Sequence, residues 1–181
     1  MKVLLHVCCG PCAAYPVQQL RLDGYEITGY FYNPNIHPYK EFRRRLETAA
    51  EFGQKVGLDL IINECYDLEE FLRSALEAPL GRCYECYRLR LTQAARYAKE
   101  NGFDSFTSSL LVSPYQKHEM IKEVGEDAAK QEGIPFLYYD FRPGWQQGVE
   151  ISKDLELYRQ PYCGCIFSER DRYKKTRKEK R

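Results

Sequence analysis

Seven of the eight cysteines in this chain fall into three short groups. The first group, in "LHVCCGPC", directly follows an apolar run and contains Cys8, Cys9 and Cys12. The other two groups are a CxxC pair in "RCYECY" and a CxC pair in "YCGC", formed by Cys83, Cys86, Cys163 and Cys165. Thiolates bind zinc and iron–sulfur clusters, and a CxxC pair can also be redox-active. The groups therefore predict metal or redox chemistry.

The cysteines alone leave several kinds of site open. A lone CxxC pair is compatible with zinc, a redox dithiol or neither. Three groups from distant parts of the chain are stronger evidence, and they leave structural zinc, a thioredoxin-like dithiol and an iron–sulfur or mixed-metal centre open. Four thiolates saturate one cluster, so seven grouped cysteines suggest a second metal, a redox-active pair, or both. Cys65 stands apart in "IINECYDL" and is interpreted as a small buried hydrophobe or a bystander.

Strand-like segments alternate with segments of helical periodicity along the chain. Strands are predicted over 2–7, 25–32, 58–62, 103–111 (with a serine-rich turn) and 134–141. Helices are predicted over 13–22, 39–56, 68–78, 87–102 and 115–132, with Asp67 and Gly102 as caps. The alternation predicts a parallel, doubly wound, Rossmann-like α/β sheet with helices on both faces.

The predicted topology brings the loops at the carboxyl ends of the strands to one edge of the sheet. The turn containing Cys8, Cys9 and Cys12 lies there, as do "NPNIHP" after the second strand and "TSSLLVSP" after the fourth. Ligands of such folds bind at this edge. The first turn, rich in glycine in many nucleotide-binding proteins, is rich in sulfur here.

Length and composition indicate a folded protein. The 181 residues, 44% hydrophobic and 29% charged, suit a single domain over 1–181. Apolar runs stay well short of a membrane span, and "MKVLLHVC" reaches cysteine too early for a signal peptide. We expect a cytoplasmic protein with no membrane partner, and a reducing compartment argues against disulfides.

Positive charge is concentrated at the end of the chain. The last twelve residues carry eight Lys or Arg and two acids, within a predicted basic tail over 168–181, although the whole chain is only +1. A second basic cluster is formed by Arg43, Arg44 and Arg45. Both clusters could contact a polyanion, and the tail could equally be a solvated terminus.

Six segments together resemble the cobalamin-independent epoxyqueuosine reductases of the QueH type. They are "LLHVCCGPCAAY", "YFYNPNIHPYKEFRRR", "RCYECYRLRL", "TSSLLVSPYQ", "YYDFRPG" and "SKDLELYRQPYCGCIFS". The resemblance implies a PP-loop-like (HUP) fold and reduction of the epoxide of epoxyqueuosine, at the tRNA wobble position, to the alkene of queuosine. It also implies a 4Fe-4S cluster, an optional second iron or other divalent metal ion, no cobalamin, a tRNA substrate and an unidentified electron donor.

Site residues follow from this resemblance as hypotheses. We expect most metal ligands to come from Cys9, Cys12, Cys83, Cys86, Cys163 and Cys165, with Cys8 as a further candidate. Cys12 is also a candidate catalytic residue. Asp140 either acts in catalysis, as a proton donor or a metal ligand, or forms a structural pair with Arg142. Candidate substrate contacts are His37, Arg142, Lys153, Arg159, Gln160 and, toward the tRNA backbone, Arg43 and Arg44.

Two alternatives remain at this point. A PP-loop-like tRNA sulfur-transfer enzyme would need ATP and an "SGGxDS" type of turn, which "HVCCGPC" lacks. A zinc-binding nucleic-acid module without catalysis would be colourless, whereas a 4Fe-4S protein is brown.

Overall fold

Four parallel strands form the sheet in the computed structural model, which describes residues 1–174. They are β1 (Lys2–His6), β2 (Glu26–Phe31), β3 (Leu60–Ile62) and β4 (Ser105–Ser108), arranged in the order β3-β2-β1-β4. Strand β1 is central, since Val3 pairs with Ile27 on one side and with Ser105 on the other. The predicted parallel sheet is confirmed.

Seven α-helices lie within residues 1–174. They are α1 (Gly10–Leu22), α2 (Tyr39–Val56), α3 (Leu68–Glu77), α4 (Arg82–Glu100), α5 (His118–Glu132), α6 (Trp145–Asp154) and α7 (Ile166–Tyr173). The bounds of α2 match the predicted helix, and the Asp67 carboxylate caps α3 by accepting from the Glu70 N–H at 3.0 Å. In this part of the chain, every helix is too short or too polar to cross a membrane.

The helices cover both faces of the sheet. Neighbouring residues of a strand point to opposite faces, and Leu4 and Leu5 accordingly belong to different halves of the core. Leu4 packs in a cluster with residues of α4 and α5, whereas Leu5 packs with residues of α1 and α2. The doubly wound arrangement is therefore confirmed, with β1 between the two layers.

The fifth predicted strand, over 134–141, is wrong. This segment makes a single parallel bridge, between Phe106 and Phe136. Pro135 has no N–H to donate to a ladder, and the chain then turns into a short 3₁₀ helix, Arg142–Gly144. The segment thus lies beside β4 at one point and leaves the sheet.

The predicted basic tail begins inside a helix. Residues 168–173 belong to α7, and residues 175–181 lie outside the described part of the chain. The single domain over 1–181 therefore stays a prediction.

Candidate metal centre

The first cysteine group lies at the carboxyl end of β1. The sulfur atoms of Cys8, Cys9 and Cys12 all lie within 4.8 Å of one another. Cys9 and Cys12 are buried, and Cys8 is partly buried. Three sulfur atoms so close together, on the edge of the sheet where ligands bind, form a candidate metal centre.

The start of α1 holds these thiols in place. Cys9 is the N-cap of the helix, and its sulfur accepts a hydrogen bond from the Cys12 N–H at 3.4 Å. Gly10 allows α1 to approach α2 closely, because a Cβ at this position would lie 2.9 Å from the carbonyl oxygen of Thr48. Because Cys9 is the N-cap, the positive end of the α1 dipole lies at the sulfur atoms and favours negative charge there.

The three thiols differ in the direction in which their pKa values are shifted. Hydrogen bonds from Cys12 and Cys9 hold the pKa of Cys8 well below its usual range. Burial raises the pKa of Cys9, and the hydrogen bond to Cys8 raises that of Cys12. The Ser109 hydroxyl lies 3.4 Å from the Cys8 sulfur and can donate to it. Cys8 is therefore the thiol that most readily carries the negative charge.

The other four grouped cysteines come from two distant segments. Cys83 and Cys86 occupy the beginning of α4, and Cys86 packs in one apolar cluster with Cys165, the N-cap of α7. Burial raises the pKa of Cys86 to about 12, and the nearby charges of Cys163, Cys165 and Cys83 act in the same direction. The two segments therefore bring four cysteines near one another, here called the second sulfur group, although among residues 1–174 only Cys8, Cys9 and Cys12 form a group of three or more ligand atoms within 4.8 Å.

A buried guanidinium lies against this second group. The side chain of Arg90 is 2% exposed and donates to the Cys86 carbonyl oxygen at 3.1 Å and to the Cys86 sulfur at 3.2 Å. Its positive charge partly opposes burial, which raises the pKa of both Cys86 and Cys163. Arg90 has no carboxylate partner among residues 1–174.

Two glutamine amides donate hydrogen bonds to sulfur. Gln160 Nε2 lies 3.0 Å from the Cys9 sulfur and 3.4 Å from that of Cys12. Gln116 Nε2 lies 3.3 Å from the Cys163 sulfur, and the Tyr87 hydroxyl donates to the other end of this amide at 2.7 Å. Each sulfur group thus has its own amide donor, an environment suited to thiolates.

Arg45 holds the CxC segment in place. This buried side chain donates to the carbonyl oxygens of Tyr162 and Cys163, both at 2.9 Å, and to Glu41 at 2.6 Å. Between the two cysteines, Gly164 adopts a φ of 149°, and a Cβ there would lie 3.3 Å from Arg45 Nη1. The contact between segment and guanidinium therefore requires glycine at this position.

Both sulfur groups contribute to one cavity of about 830 Å³. Cys8, Cys12 and Cys163 line it together with Trp145 and apolar residues of the 3₁₀ helix Ser109–Val112. Three predicted substrate contacts, Lys153, Arg159 and Gln160, are also part of the lining. The topology therefore brings residues from five distant segments of the chain to one place.

Other predicted substrate contacts lie outside this lining. His37 is buried between the rings of Tyr66 and Phe71. Arg43 pairs with Glu64 at 2.8 Å, and the guanidinium of Arg44 lies over the Tyr158 ring at 3.5 Å. These three residues do not contribute to the cavity wall.

Asp140 and Arg142 form a bidentate pair, with Nε–Oδ1 and Nη2–Oδ2 distances of 2.8 and 2.7 Å. The guanidinium holds the pKa of Asp140 down at about 2. The two residues are not part of the cavity lining. Of the two expectations for Asp140, the pair with Arg142 is thus present in the structure, and a role in catalysis stays a prediction.

Several residues of the site were not anticipated. Arg90 lies four positions after Cys86, a helical spacing that places both on one face, so this signal was available. Gln116, Tyr115 and Trp145 carry no comparable local signal, because the fold brings the turn before α5 and the first residue of α6 to the same cavity.

A family model described as epoxyqueuosine reductase QueH matches residues 3–171. The chain belongs to this family. The epoxyqueuosine reductase QueH of Dehalococcoides mccartyi is 40% identical over 174 residues, 96% of each chain. The QueH protein of Thermotoga maritima is 35% identical over 183 residues, covering 96% of this chain and 93% of that one.

Solved structures support the fold assignment of this QueH family member. The U34-tRNA thiolase NcsA from Methanococcus maripaludis, solved with its 4Fe-4S cluster, matches with a TM-score of 0.56 at 14% identity, covering 93% of this chain and 62% of that one. A predicted subunit of a tRNA methyltransferase from Methanocaldococcus jannaschii also gives 0.56, at 11% identity, over 84% and 74% of the two chains. At these identities the likeness shows a shared α/β fold.

The sulfur atoms of this QueH chain fit a metal cofactor. A metal or cluster site needs deprotonated thiols, donors to the sulfur atoms and limited access of water. Cys8 satisfies the first need through its lowered pKa, whereas Cys9 and Cys12, whose pKa values are raised, would give up their protons on binding the metal. The burial of Cys9 and Cys12 satisfies the third need. Gln160, Gln116 and Arg90 supply the donors.

Proposed function

We propose that this chain reduces epoxyqueuosine in the anticodon wobble position of tRNA to queuosine. The epoxide oxygen leaves as water, two electrons and two protons are consumed, and an alkene forms in the cyclopentane ring. Membership of the QueH family supports the reaction, and the observation that carries the proposal is a group of three closely spaced thiols, two of which, Cys8 and Cys12, line a cavity.

The proposed cofactor is a 4Fe-4S cluster without cobalamin, and the proposal includes room for a second iron or other divalent metal ion beside the cluster. When bound, iron–sulfur groups supply low-potential electrons and Lewis acidity. The residues proposed to hold the metal are Cys8, Cys9, Cys83, Cys86, Cys163 and Cys165. Cys12 is proposed as a further ligand or as a catalytic thiol at the cavity wall.

The chain's own residues would bind and orient the substrate. Lys153 and Arg159 place positive charge on the cavity wall, where they can meet phosphate or the modified base. Gln160 also lines the cavity, so its position between substrate and sulfur suits a role in both. Apolar wall residues such as Leu110 and Val112 restrict water around the epoxide.

Further site residues are proposed from the family resemblance and from their charge. Asp140 could act on the epoxide only if its pair with Arg142 opened toward the cavity. We propose Arg43, Arg44 and the basic tail as contacts to the tRNA backbone, since both regions carry positive charge. His37 would act by supporting the chain around the CxC segment, because its backbone N–H donates to the Gly164 carbonyl at 2.9 Å.

The experiment begins with protein purified without oxygen. Iron, zinc and acid-labile sulfide are measured, followed by turnover of tRNA bearing epoxyqueuosine with a low-potential chemical reductant. About four irons and four sulfides per chain with formation of queuosine would support the proposal. Stoichiometric zinc without sulfide, persisting after anaerobic reconstitution, would contradict it and favour a zinc-binding tRNA protein.

A further inference from the structure

The lip of the cavity carries an unusually exposed aromatic side chain. Tyr115 is 84% exposed, the largest value among the bulky apolar and aromatic side chains of residues 1–174. It lies in the turn between the 3₁₀ helix Ser109–Val112 and α5, and it lines the cavity. A ring that is so exposed contributes little to packing in the folded chain.

Trp145 supports this ring from one side. The ring centroids of Tyr115 and Trp145 lie 5.8 Å apart with an interplanar angle of 83°, an edge-to-face arrangement. Such a contact occupies at most one face of the tyrosine ring. Because Tyr115 is so exposed, an open face remains available to a planar partner.

The position of Tyr115 is tied to the sulfur site. The next residue, Gln116, donates to the Cys163 sulfur at 3.3 Å, and its amide is oriented by the hydroxyl of Tyr87. Tyr115 therefore lies at the outer end of a short segment whose inner end contacts a proposed metal ligand. A ligand whose reacting part reaches the sulfur atoms would present its adjoining part to Tyr115.

The surrounding charge favours a polyanion. Lys153, Arg159 and Arg172 line the same cavity. The Asp171 carboxylate, also in the lining, is paired with Arg82 at 2.6 Å and with Arg170 at 2.8 Å. An exposed aromatic ring beside unopposed positive charge is the combination that binds single-stranded nucleic acid, with bases stacked and phosphates neutralised.

We propose that Tyr115, supported by Trp145, forms a stacking subsite for the unpaired nucleobase next to the modified nucleoside. This inference rests on the proposed function for the identity of the RNA. The modified nucleoside enters the cavity toward Cys8 and Cys12, and its neighbour along the strand stacks at the lip. The subsite selects an unpaired loop over a duplex, because a base within a duplex has no free face to offer.

The test uses the cluster-loaded full chain and an anticodon stem-loop carrying epoxyqueuosine. Tyr115→Ala should raise both Kd and KM about tenfold and leave kcat unchanged, since stacking of one base contributes at that level. Tyr115→Phe keeps the ring and should bind nearly as the parent protein does. Tyr39→Ala is the control, because Tyr39 is 53% exposed and lies outside the cavity lining.

A double-mutant cycle identifies the stacked base. Stem-loops with an abasic site on the 5′ or the 3′ side of the modified nucleotide are bound to the parent protein and to Tyr115→Ala. At one of the two positions, removal of the base should abolish the effect of the substitution. Equal effects of Tyr115→Ala on the intact and on both abasic RNAs would overturn the subsite, as would unchanged affinity.

The results distinguish a failure of the Tyr115 subsite from a failure of the proposed function. Parent protein that binds the stem-loop without converting it contradicts the proposed reaction, and the binding cycle still decides the role of Tyr115. Parent protein that binds no RNA overturns both. Iron content and the thermal unfolding midpoint of each variant show whether a loss of affinity reflects a loss of folding.

Discussion

Arg90 donates a hydrogen bond from its guanidinium to the sulfur of Cys86 at 3.2 Å, inside the protein. A guanidinium does not lose its proton in proteins, and a buried charge without a counter-charge is strongly destabilising. No carboxylate pairs with Arg90 among residues 1–174. The charge of Arg90 is therefore directed at sulfur, and a thiolate-bound metal at Cys86 would compensate it.

Replacing Arg90 by Met should weaken metal loading and lower the reduction potential of the loaded protein. A nearby positive charge favours the reduced, more negative state, so its removal lowers the potential by on the order of tens of millivolts. Arg90→Lys retains the charge and should show a smaller shift. The measurements are iron content and a spectroscopic redox titration.

Arg88→Met is the matched control for this prediction. Arg88 lies on the same helix, is 47% exposed and pairs with Glu85 at 2.6 Å. Its loss should leave iron content and potential unchanged. Equal potentials for Arg90→Met and the parent protein would remove the electrostatic role assigned to Arg90.

Single Cys→Ser substitutions should separate the cysteines that bind metal from those that do not. Replacing Cys8, Cys86 or Cys163 should lower iron content and abolish most activity, because serine is a poor ligand of iron in sulfur clusters. Cys65 is exposed, which makes it a bystander rather than a buried hydrophobe, so Cys65→Ser should retain both properties. Any grouped cysteine whose serine variant keeps full iron content is not a ligand.

The stability of the protein should fall at mildly acidic pH through His37. Burial lowers the pKa of His37 to about 4, whereas the unfolded chain binds this proton near pH 6.5. Between these values only the unfolded state is protonated, so stability present at pH 7 is lost as the pH falls, by about 1–2 kcal/mol at pH 5.

The variant His37→Phe should lose less stability over this interval. Thermal midpoints at pH 7 and pH 5 provide the comparison. Effects of pH on the sulfur site are common to both proteins and cancel in the difference. Identical losses would show that His37 is not a source of the pH dependence.

Deletion of residues 175–181 should weaken tRNA binding and flatten its salt dependence. This segment carries five Lys or Arg and one Glu. Each phosphate that the shortened chain no longer neutralises reduces the slope of log K against log salt by about 0.7–0.9. Binding curves at several salt concentrations test this, and an unchanged slope would show that the tail makes no phosphate contacts.

Much of the fold was predictable because its signals are local. The helical period over 39–56 and the carboxylate of Asp67 depend on neighbouring residues alone. The false fifth strand had strand-like composition, but Pro135 and the turn at Arg142 removed it from the sheet. Composition indicates which secondary structure a segment favours, whereas the pairing of strands depends on the segments that lie next to it in the fold.

The site was predictable to the extent that topology determines it. Parallel strands bring the turn of Cys8 to the same edge as the loop before α5, and Gln160 was expected near it. The orientation of Asp140 was undetermined, since it depends on a pair with Arg142 two residues away. Gln116 donates a hydrogen bond to sulfur because the hydroxyl of Tyr87 orients its amide. These two residues are 29 positions apart, and no sequence spacing indicates their contact.

The contact of Arg45 with Tyr162 and Cys163 joins segments more than 115 residues apart. During synthesis on the ribosome, the sheet and the turn of Cys8 can form while the CxC segment is still untranslated or inside the exit tunnel. The second sulfur group therefore exists only after the CxC segment has left the ribosome. A metal held by both sulfur groups would accordingly be inserted after that point, and until then the nascent chain carries thiols that the cell has to keep reduced.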